Sequence, residues 1–192
     1  MRLGTAGLSM DDQGDLVAVF PTAFGWMAVS GSGPVLKHLT FGHRTATAAR
    51  RAIQRRVGRR LALARWNPDL ASRLADYAAG AVEDFLDVPV DLGGMSEFAR
   101  SVYHHCRRIP YGETTTYGRL AAMLGRPEAA RAVGNSMARN PVPLVIPCHR
   151  VVGAGGSIGG YSAPGGVRWK RRLLELEARH RGAGRHGGRP GG

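Results

Sequence analysis

Five apolar residues, Val142 to Ile146, lead into Pro147-Cys148-His149-Arg150-Val151 and leave the chain little conformational choice. The run is too short for a helix and too apolar for a surface loop. It therefore reads as a buried segment that delivers Cys148 to the rim of a cavity. A cysteine alone says little, because free cysteine is usually inert packing. The imidazole of His149 beside it makes Cys148 a candidate nucleophile.

Upstream, Thr115 or Thr116 caps a short helix that Gly125 ends. Pro127 takes the first position of a second helix, with Glu128 in its first turn where the dipole favours it. Two helices joined by a tight turn form a helix-turn-helix, a frequent DNA-docking unit, although such a hairpin can also be plain packing. On the second helix Ala129, Ala130, Ala132 and Gly134 are small, with Arg131 in their midst. Small side chains let a helix approach a groove closely, and one guanidinium can probe between bases or hold a phosphate.

With 192 residues the chain can hold one large or two small domains. Its net charge of +13 is unevenly placed: residues 95–192 carry 16 Lys and Arg against 5 Asp and Glu, residues 1–94 only 11 against 9. A polyanion should dock on the carboxy-terminal half. Lys37 and Lys170 are the only lysines, so nearly all the positive charge is guanidinium. The arginine run from Arg50 to Arg65 reads as a solvated face, with a second phosphate contact as the sharper alternative. No stretch is long and apolar enough to span a membrane, and Met1 to Met10 has no signal-peptide core. Cys106 and Cys148 make no disulfide framework. These features point to a soluble cytoplasmic protein whose thiol stays reduced, lying with the nucleoid in a prokaryote.

Along the chain, residues 1–15 read as a mobile terminus. Leu16 to Phe20, Gly25 to Ser30 and Val35 to Phe41 suggest an antiparallel meander. Thr45 or Thr47 caps a helix through Arg56, and Asn67-Pro68-Asp69 starts another carrying Leu70, Leu74, Tyr77, Ala78, Val82 and Phe85 on one face. Val88 to Gly94 reads as an interdomain connector. Ser96 caps a helix with Phe98, Val102 and Cys106 at helical spacing, which makes Cys106 a core thiol. His104 and His105 lack partners at metal-ligand spacing and read as surface residues. Gly153 to Gly160 is a glycine-rich turn better suited to a pocket lid than to a phosphate cradle. A last helix runs from Val167 to about Ala178 and carries Glu175 and Glu177. The Gly/Arg/Pro-rich residues 179–192 form a disordered basic tail that adds nonspecific attraction to DNA.

The strings Ile109 to Thr114, Tyr117 to Ala121, Ala130 to Gly134, Asn140 to Pro143, Ile146 to Val151 and Gly160 to Ser162 together resemble the O6-alkylguanine-DNA alkyltransferases, the methylated-DNA–protein-cysteine methyltransferases. The likeness is strong over residues 95–178 and general over 16–94. It implies an α/β (α+β) fold: a small amino-terminal antiparallel-sheet domain with helices over residues 16–94, and a mainly helical domain over residues 95–178. The second domain holds a winged-helix-like helix-turn-helix and the active-site cysteine. By the same resemblance the protein transfers an alkyl group from O6-alkylguanine in duplex DNA irreversibly to Cys148, as a suicidal S-methyltransferase acting once. Some relatives carry a structural zinc in the amino-terminal domain, but no cysteine precedes Cys106 here, so neither metal nor cofactor is expected.

The family roles fall on this sequence as follows. His149 helps remove the Cys148 proton, through water, and a carboxylate orients the imidazole. The family glutamate falls on Glu177, with Glu175 as the alternative. Tyr117 rotates the target phosphate and donates to guanine N3, and Asn140 braces the turn into the active-site segment. Pro143, Val151, Tyr161 and Ser162 line the pocket; Ser162 donates towards O6, while the backbone carbonyls of Cys148 and Val151 accept from the exocyclic amine. Arg150 holds the two domains together. Thr116, Ala129, Ala130, Arg131, Ala132 and Gly134 face DNA in the minor groove, where Arg131 replaces the extruded nucleotide. The protein is expected to be a monomer, with clustering on DNA left open. Two rivals use the same residues differently. A transcriptional regulator would leave Cys148 inert, and a Cys-His-Glu hydrolase would turn over on acyl substrates.

Overall fold

Thr22 and Gly25 close a tight hairpin between two extended segments: the Thr22 hydroxyl donates to the Gly25 carbonyl at 2.7 Å and accepts from the Phe24 amide at 3.1 Å. This hairpin opens a computed structural model that describes residues 15–58, 60–163 and 165–180. Of the proposed mobile residues 1–15 only Asp15 is described, paired with Lys37 at 2.7 Å, and of the proposed tail 179–192 only Arg179 and His180, which are helical; the others lie outside the described residues.

Strands β1 (Leu16–Thr22), β2 (Gly25–Ser32) and β3 (Val35–His43) form an antiparallel meander, and β4 (Ala62–Leu63) adds in parallel beside β1. The strand order is β3-β2-β1-β4. Both faces are covered. Helix α1 (Ala46–Val57) packs Ala49 and Ile53 against Val17 and Ala28 on one side. On the other, α2 (Pro68–Ala79) packs Leu70, Leu74 and Tyr77 against Met27, Val29 and Leu39. Thr45 caps α1 by accepting from the Ala48 amide, and Asn67 caps α2 by accepting from the Leu70 amide, each at 3.1 Å.

Two expectations for this part are revised. Helix α2 stops at Ala79 because Gly80 turns left-handed (φ 111), so Val82 and Phe85 are not on its face. Val82 is exposed, whereas Phe85 returns to the core through a turn whose amides are held by the carboxylates of Glu83 and Asp84. The supposed connector also does structural work. Val90 bridges to Leu36, with Leu36 donating to Pro89 and Asp91 donating back to Leu36, each at 2.9 Å.

Helix α3 (Glu97–Arg107) is capped by Ser96 and buries Val102, Tyr103 and Cys106. After β5 (Thr115–Thr116), α4 (Tyr117–Met123) is capped by Thr116. Gly125 (φ 70) makes the turn, and Pro127–Ala129 enter as a 3-10 turn before α5 (Ala130–Ala138) begins. β6 (Val151–Val152) pairs in parallel with β5. The last helix, α6 (Val167–His180), extends two residues beyond the expected end at Ala178.

Trp169 of α6 stacks edge-on between Phe24 and Phe41, at 5.2 and 5.3 Å, and so joins the last helix to the sheet. Gly42 (φ 80) is needed there, since a Cβ would lie 2.8 Å from the indole nitrogen. One apolar cluster therefore runs from Ala18 through Tyr77, Cys106 and Ile146 to Leu173. Among the described residues no helix is long and apolar enough to cross a membrane.

Candidate active site

The active-site segment is a tight loop, not a strand. The Ile146 amide returns to the Val142 carbonyl at 2.9 Å, and Leu144 takes a left-handed conformation (φ 79) that a residue with a Cβ seldom adopts. Asn140, just past α5, ties the loop's two ends: its Nδ2 donates to the Ile146 carbonyl at 2.8 Å and its Oδ1 accepts from the Val142 amide at 3.0 Å. Pro147 then leads into a 3-10 turn, Cys148–Arg150, with Cys148, His149 and Arg150 all buried. The loop is also gripped from the amino-terminal part. Arg56 of α1, one of the arginines assigned to a solvated face, donates to the carbonyls of Leu39 (3.3 Å), Asn140 (3.5 Å) and Pro141 (3.2 Å).

His149 is fully buried and its Nε2 lies 2.8 Å from Oε1 of Glu177, which comes in on α6. The other ring nitrogen, Nδ1, is buried without a protein partner. Glu177 is a hub. Oε1 accepts from Tyr77 Oη (2.6 Å) and Arg150 Nη2 (2.9 Å), while Oε2 accepts from Arg150 Nε and the Gly112 amide, each at 3.0 Å. Burial works to raise the Glu177 carboxyl, but His149 and Arg150 outweigh it and hold it well below the usual carboxylate range. With Arg150 already pairing that charge, the imidazole is the neutral partner, and burial lowers its affinity for a proton against the pull of Glu177. Burial likewise pushes the Cys148 thiol up, partly offset by Asn140, by the Lys170 ammonium and by the Tyr161 hydroxyl.

Cys148 opens on a cavity of about 420 Å³ lined by Tyr117, Gly134, Met137, Ala138, Gly160, Tyr161 and Ser162. That volume lies within the range of small-ligand sites, roughly 300–1,000 Å³. Lys170 borders it: fully buried, its Nζ donates to the Val151 carbonyl (2.6 Å), the Gly160 carbonyl (3.3 Å) and Tyr117 Oη (3.3 Å).

Against known proteins, residues 97–179 match the model of the 6-O-methylguanine DNA methyltransferase DNA-binding domain. The methylated-DNA–protein-cysteine methyltransferase of Mycobacterium bovis is 38% identical over 159 residues, covering 80% of this chain and 86% of that protein. The chain belongs to the methylated-DNA–protein-cysteine methyltransferase family. The relative of that name in Mycolicibacterium paratuberculosis reaches 49% identity over 108 residues, spanning 56% of this chain and 63% of that protein. The crystal structure of Mycobacterium tuberculosis OGT in complex with DNA superimposes with a TM-score of 0.70 at 34% identity, over 85% of this chain and 93% of that one.

For this member of the methyltransferase family, the expected site residues divide clearly. Cys148, Tyr117, Gly134, Tyr161 and Ser162 meet at the cavity, whereas Pro143 and Val151 are not among its lining residues. The carbonyls of Val151 and Cys148 already hold one internal donor each, Lys170 Nζ and the Val151 amide, which leaves one lone pair apiece. Glu177 faces the imidazole and Glu175 faces outward. Arg150 does not bridge the two halves; its partners Glu177, Ile109 and Tyr111 all belong to residues 95–178. Tyr77 of α2 does cross between them, to Glu177. On α5, Arg131 and Ala132 are exposed, while Ala129, Ala130 and Gly134 are half-buried, so the guanidinium stands above a low surface. Thr116 Oγ1 is taken up capping the Arg119 amide.

Sequence reasoning missed Lys170, Tyr77 and Arg56. For Lys170 a signal existed, since it is one of two lysines in a chain that otherwise uses arginine. A compact ammonium fits a buried niche where a guanidinium does not.

Proposed function

We infer that the protein repairs DNA by moving an alkyl group from O6 of guanine in duplex DNA to the sulfur of Cys148, once per molecule. One observation carries the reading: α5, the second helix of the helix-turn-helix, contributes Gly134, Met137 and Ala138 to the wall of the cavity that holds Cys148. The DNA-docking helix and the nucleophile share one chamber. A regulator has no need of a thiol there, and a hydrolase has no need of the helix.

Cys148 is only 3% exposed, so it cannot reach O6 inside a stacked duplex and the nucleotide must be extruded into the cavity. The low face of α5 suits the minor groove, with Arg131 filling the vacated stack. The Cys148 proton passes through a water to His149 Nδ1, and Glu177 steadies the resulting imidazolium. The thiolate then attacks the alkyl carbon. The sulfur–carbon bond forms as the carbon–O6 bond breaks, and the electron pair moves onto guanine, whose N3 takes a proton from Tyr117. Lys170, 3.3 Å from Tyr117 Oη, stabilises the phenolate this leaves. A thioether offers no leaving path, so the protein is consumed. A nucleophile of this kind works where thiols stay reduced, which supports a cytoplasmic location.

Intact-mass spectrometry after mixing with an O6-methylguanine duplex tests the reading. The expected result is one methyl added per molecule, located on Cys148, and none on Cys148→Ser, which keeps its affinity for DNA. Methyl transfer by Cys148→Ser, or repeated turnover by the wild type, refutes it.

A further inference from the structure

The phenol of Tyr77 reaches the active site from the opposite half of the chain. Its ring is fully buried and fixed by three aromatic neighbours, Phe24 (6.2 Å), Phe85 (5.8 Å) and Tyr111 (6.0 Å), so the hydroxyl has one available position. There it lies 2.6 Å from Glu177 Oε1 and 3.3 Å from His149 Nε2. A hydroxyl has a single hydrogen. Donated to Glu177, that hydrogen leaves only lone pairs facing the imidazole. His149 Nε2 thus meets two acceptors, the Glu177 oxygen and the Tyr77 oxygen, and must carry the ring hydrogen of the neutral imidazole. The remaining nitrogen, Nδ1, is the buried one without a protein partner. Burial, reinforced by the neighbouring carboxylate, pushes the Tyr77 phenol well above its usual range, so it does not ionise to disturb this arrangement.

We propose that Tyr77 is a positioning residue for alkyl transfer, locking His149 in the tautomer whose Nδ1 is open to receive the Cys148 proton. The assignment rests on Cys148 being the nucleophile. It makes the amino-terminal half part of the reactive apparatus: α2 supplies a hydrogen-bonding atom that the cavity-forming half lacks, across 72 residues of sequence to His149 and 100 to Glu177.

The test compares Tyr77→Phe with Tyr103→Phe. Tyr103 is a second buried tyrosine whose hydroxyl donates to the Ser136 carbonyl at 2.7 Å, away from the acid–base pair. Both variants lose a buried hydroxyl, and Tyr77→Phe should lose the more stability because its partner is a carboxylate. Only Tyr77→Phe should alter His149. Relieved of one donor, the Glu177 carboxylate holds the imidazolium more strongly. The pH of half-maximal transfer from O6-benzylguanine should therefore rise by about half a unit, with the rate below that midpoint down by about threefold. In ¹⁵N-histidine spectra the wild type should show a protonated Nε2 and a bare Nδ1, with the Nε2 signal displaced in Tyr77→Phe as its second acceptor is lost. Unchanged nitrogen signals and an unmoved pH profile in Tyr77→Phe overturn the proposal, whatever its stability. If the wild type gained no mass on Cys148 the transfer reading would fall, yet the nitrogen signals would still decide the tautomer.

Discussion

Replacing Glu177 by Gln isolates the most heavily bonded charge in the molecule. The carboxylate is 1% exposed and accepts from His149, Tyr77, Arg150 and the Gly112 amide. Gln removes the charge, leaves Arg150 buried at 1% exposure without its counter-ion, and turns an NH₂ towards at least one donor. Breaking a buried pair from one side costs roughly 3–5 kcal/mol. For a chain of this size that is a fall in Tm of roughly 6–20 °C. Transfer to O6-benzylguanine should slow by about 10²-fold, the lower end of what a positioned acid–base group contributes. Acid should narrow the gap. The folded carboxyl is held below its unfolded value of about 4.3, so its stabilisation is complete above about pH 5 and is lost as pH falls towards the folded value. His149, buried and neutral, weakens both proteins below about pH 6.5, because the unfolded chain takes up the proton that the folded one resists. Melting curves at pH 7.5 and pH 3.5, alongside single-turnover kinetics, test each point. Exposed Glu175→Gln is the control and should leave both unchanged. A Glu177→Gln protein within threefold of wild-type rate, or a Tm gap that does not shrink in acid, would refute the reasoning.

Arg131→Ala should slow repair of duplex DNA by at least tenfold while leaving transfer from the free base within about twofold, since only a duplex needs its vacated stack filled; equal losses on the two substrates reject that role. Lys170→Met should keep the fold but slow transfer from the free base by roughly 10–100-fold, because the three donated bonds to Val151, Gly160 and Tyr117 go with the ammonium. Single-turnover kinetics decide this, and Lys170→Arg should rescue poorly because a planar fork does not fit a niche shaped for a point charge.

Much of the fold was legible because its punctuation is local. Thr45, Asn67 and Ser96 cap helices through bonds spanning three residues, and Gly58 and Gly80 end helices by turning left-handed. Extending α2 to Phe85 failed for the same reason: the helical spacing of Val82 and Phe85 is real, but Gly80 breaks the backbone that would carry it. The nucleophile and its imidazole adjoin in sequence, so resemblance located them at once. Choosing Glu177 over Glu175 was possible from periodicity as well, since Trp169, Leu173 and Glu177 fall four apart on the buried stripe of α6 while Glu175 lies off it. Tyr77 and Arg56 were illegible because their partners are distant: Tyr77 reaches Glu177 across 100 residues, and Arg56 binds the Asn140 carbonyl across 84. Backbone acceptors leave no trace in side-chain pattern.

The loop tied off by Asn140 shows what the pentapeptide around Cys148 lacks. The loop, with its left-handed Leu144, is held by Asn140 from within and by Arg56 from outside, and the histidine that follows is aimed by Glu177 on the last helix. A peptide bearing Pro-Cys-His-Arg-Val, or a host protein given that string in a surface loop, would inherit the atoms without the field around them. Its thiol would titrate near its ordinary value and its imidazole would have no fixed tautomer. The short string therefore identifies a candidate; competence to react is a property of the whole folded chain.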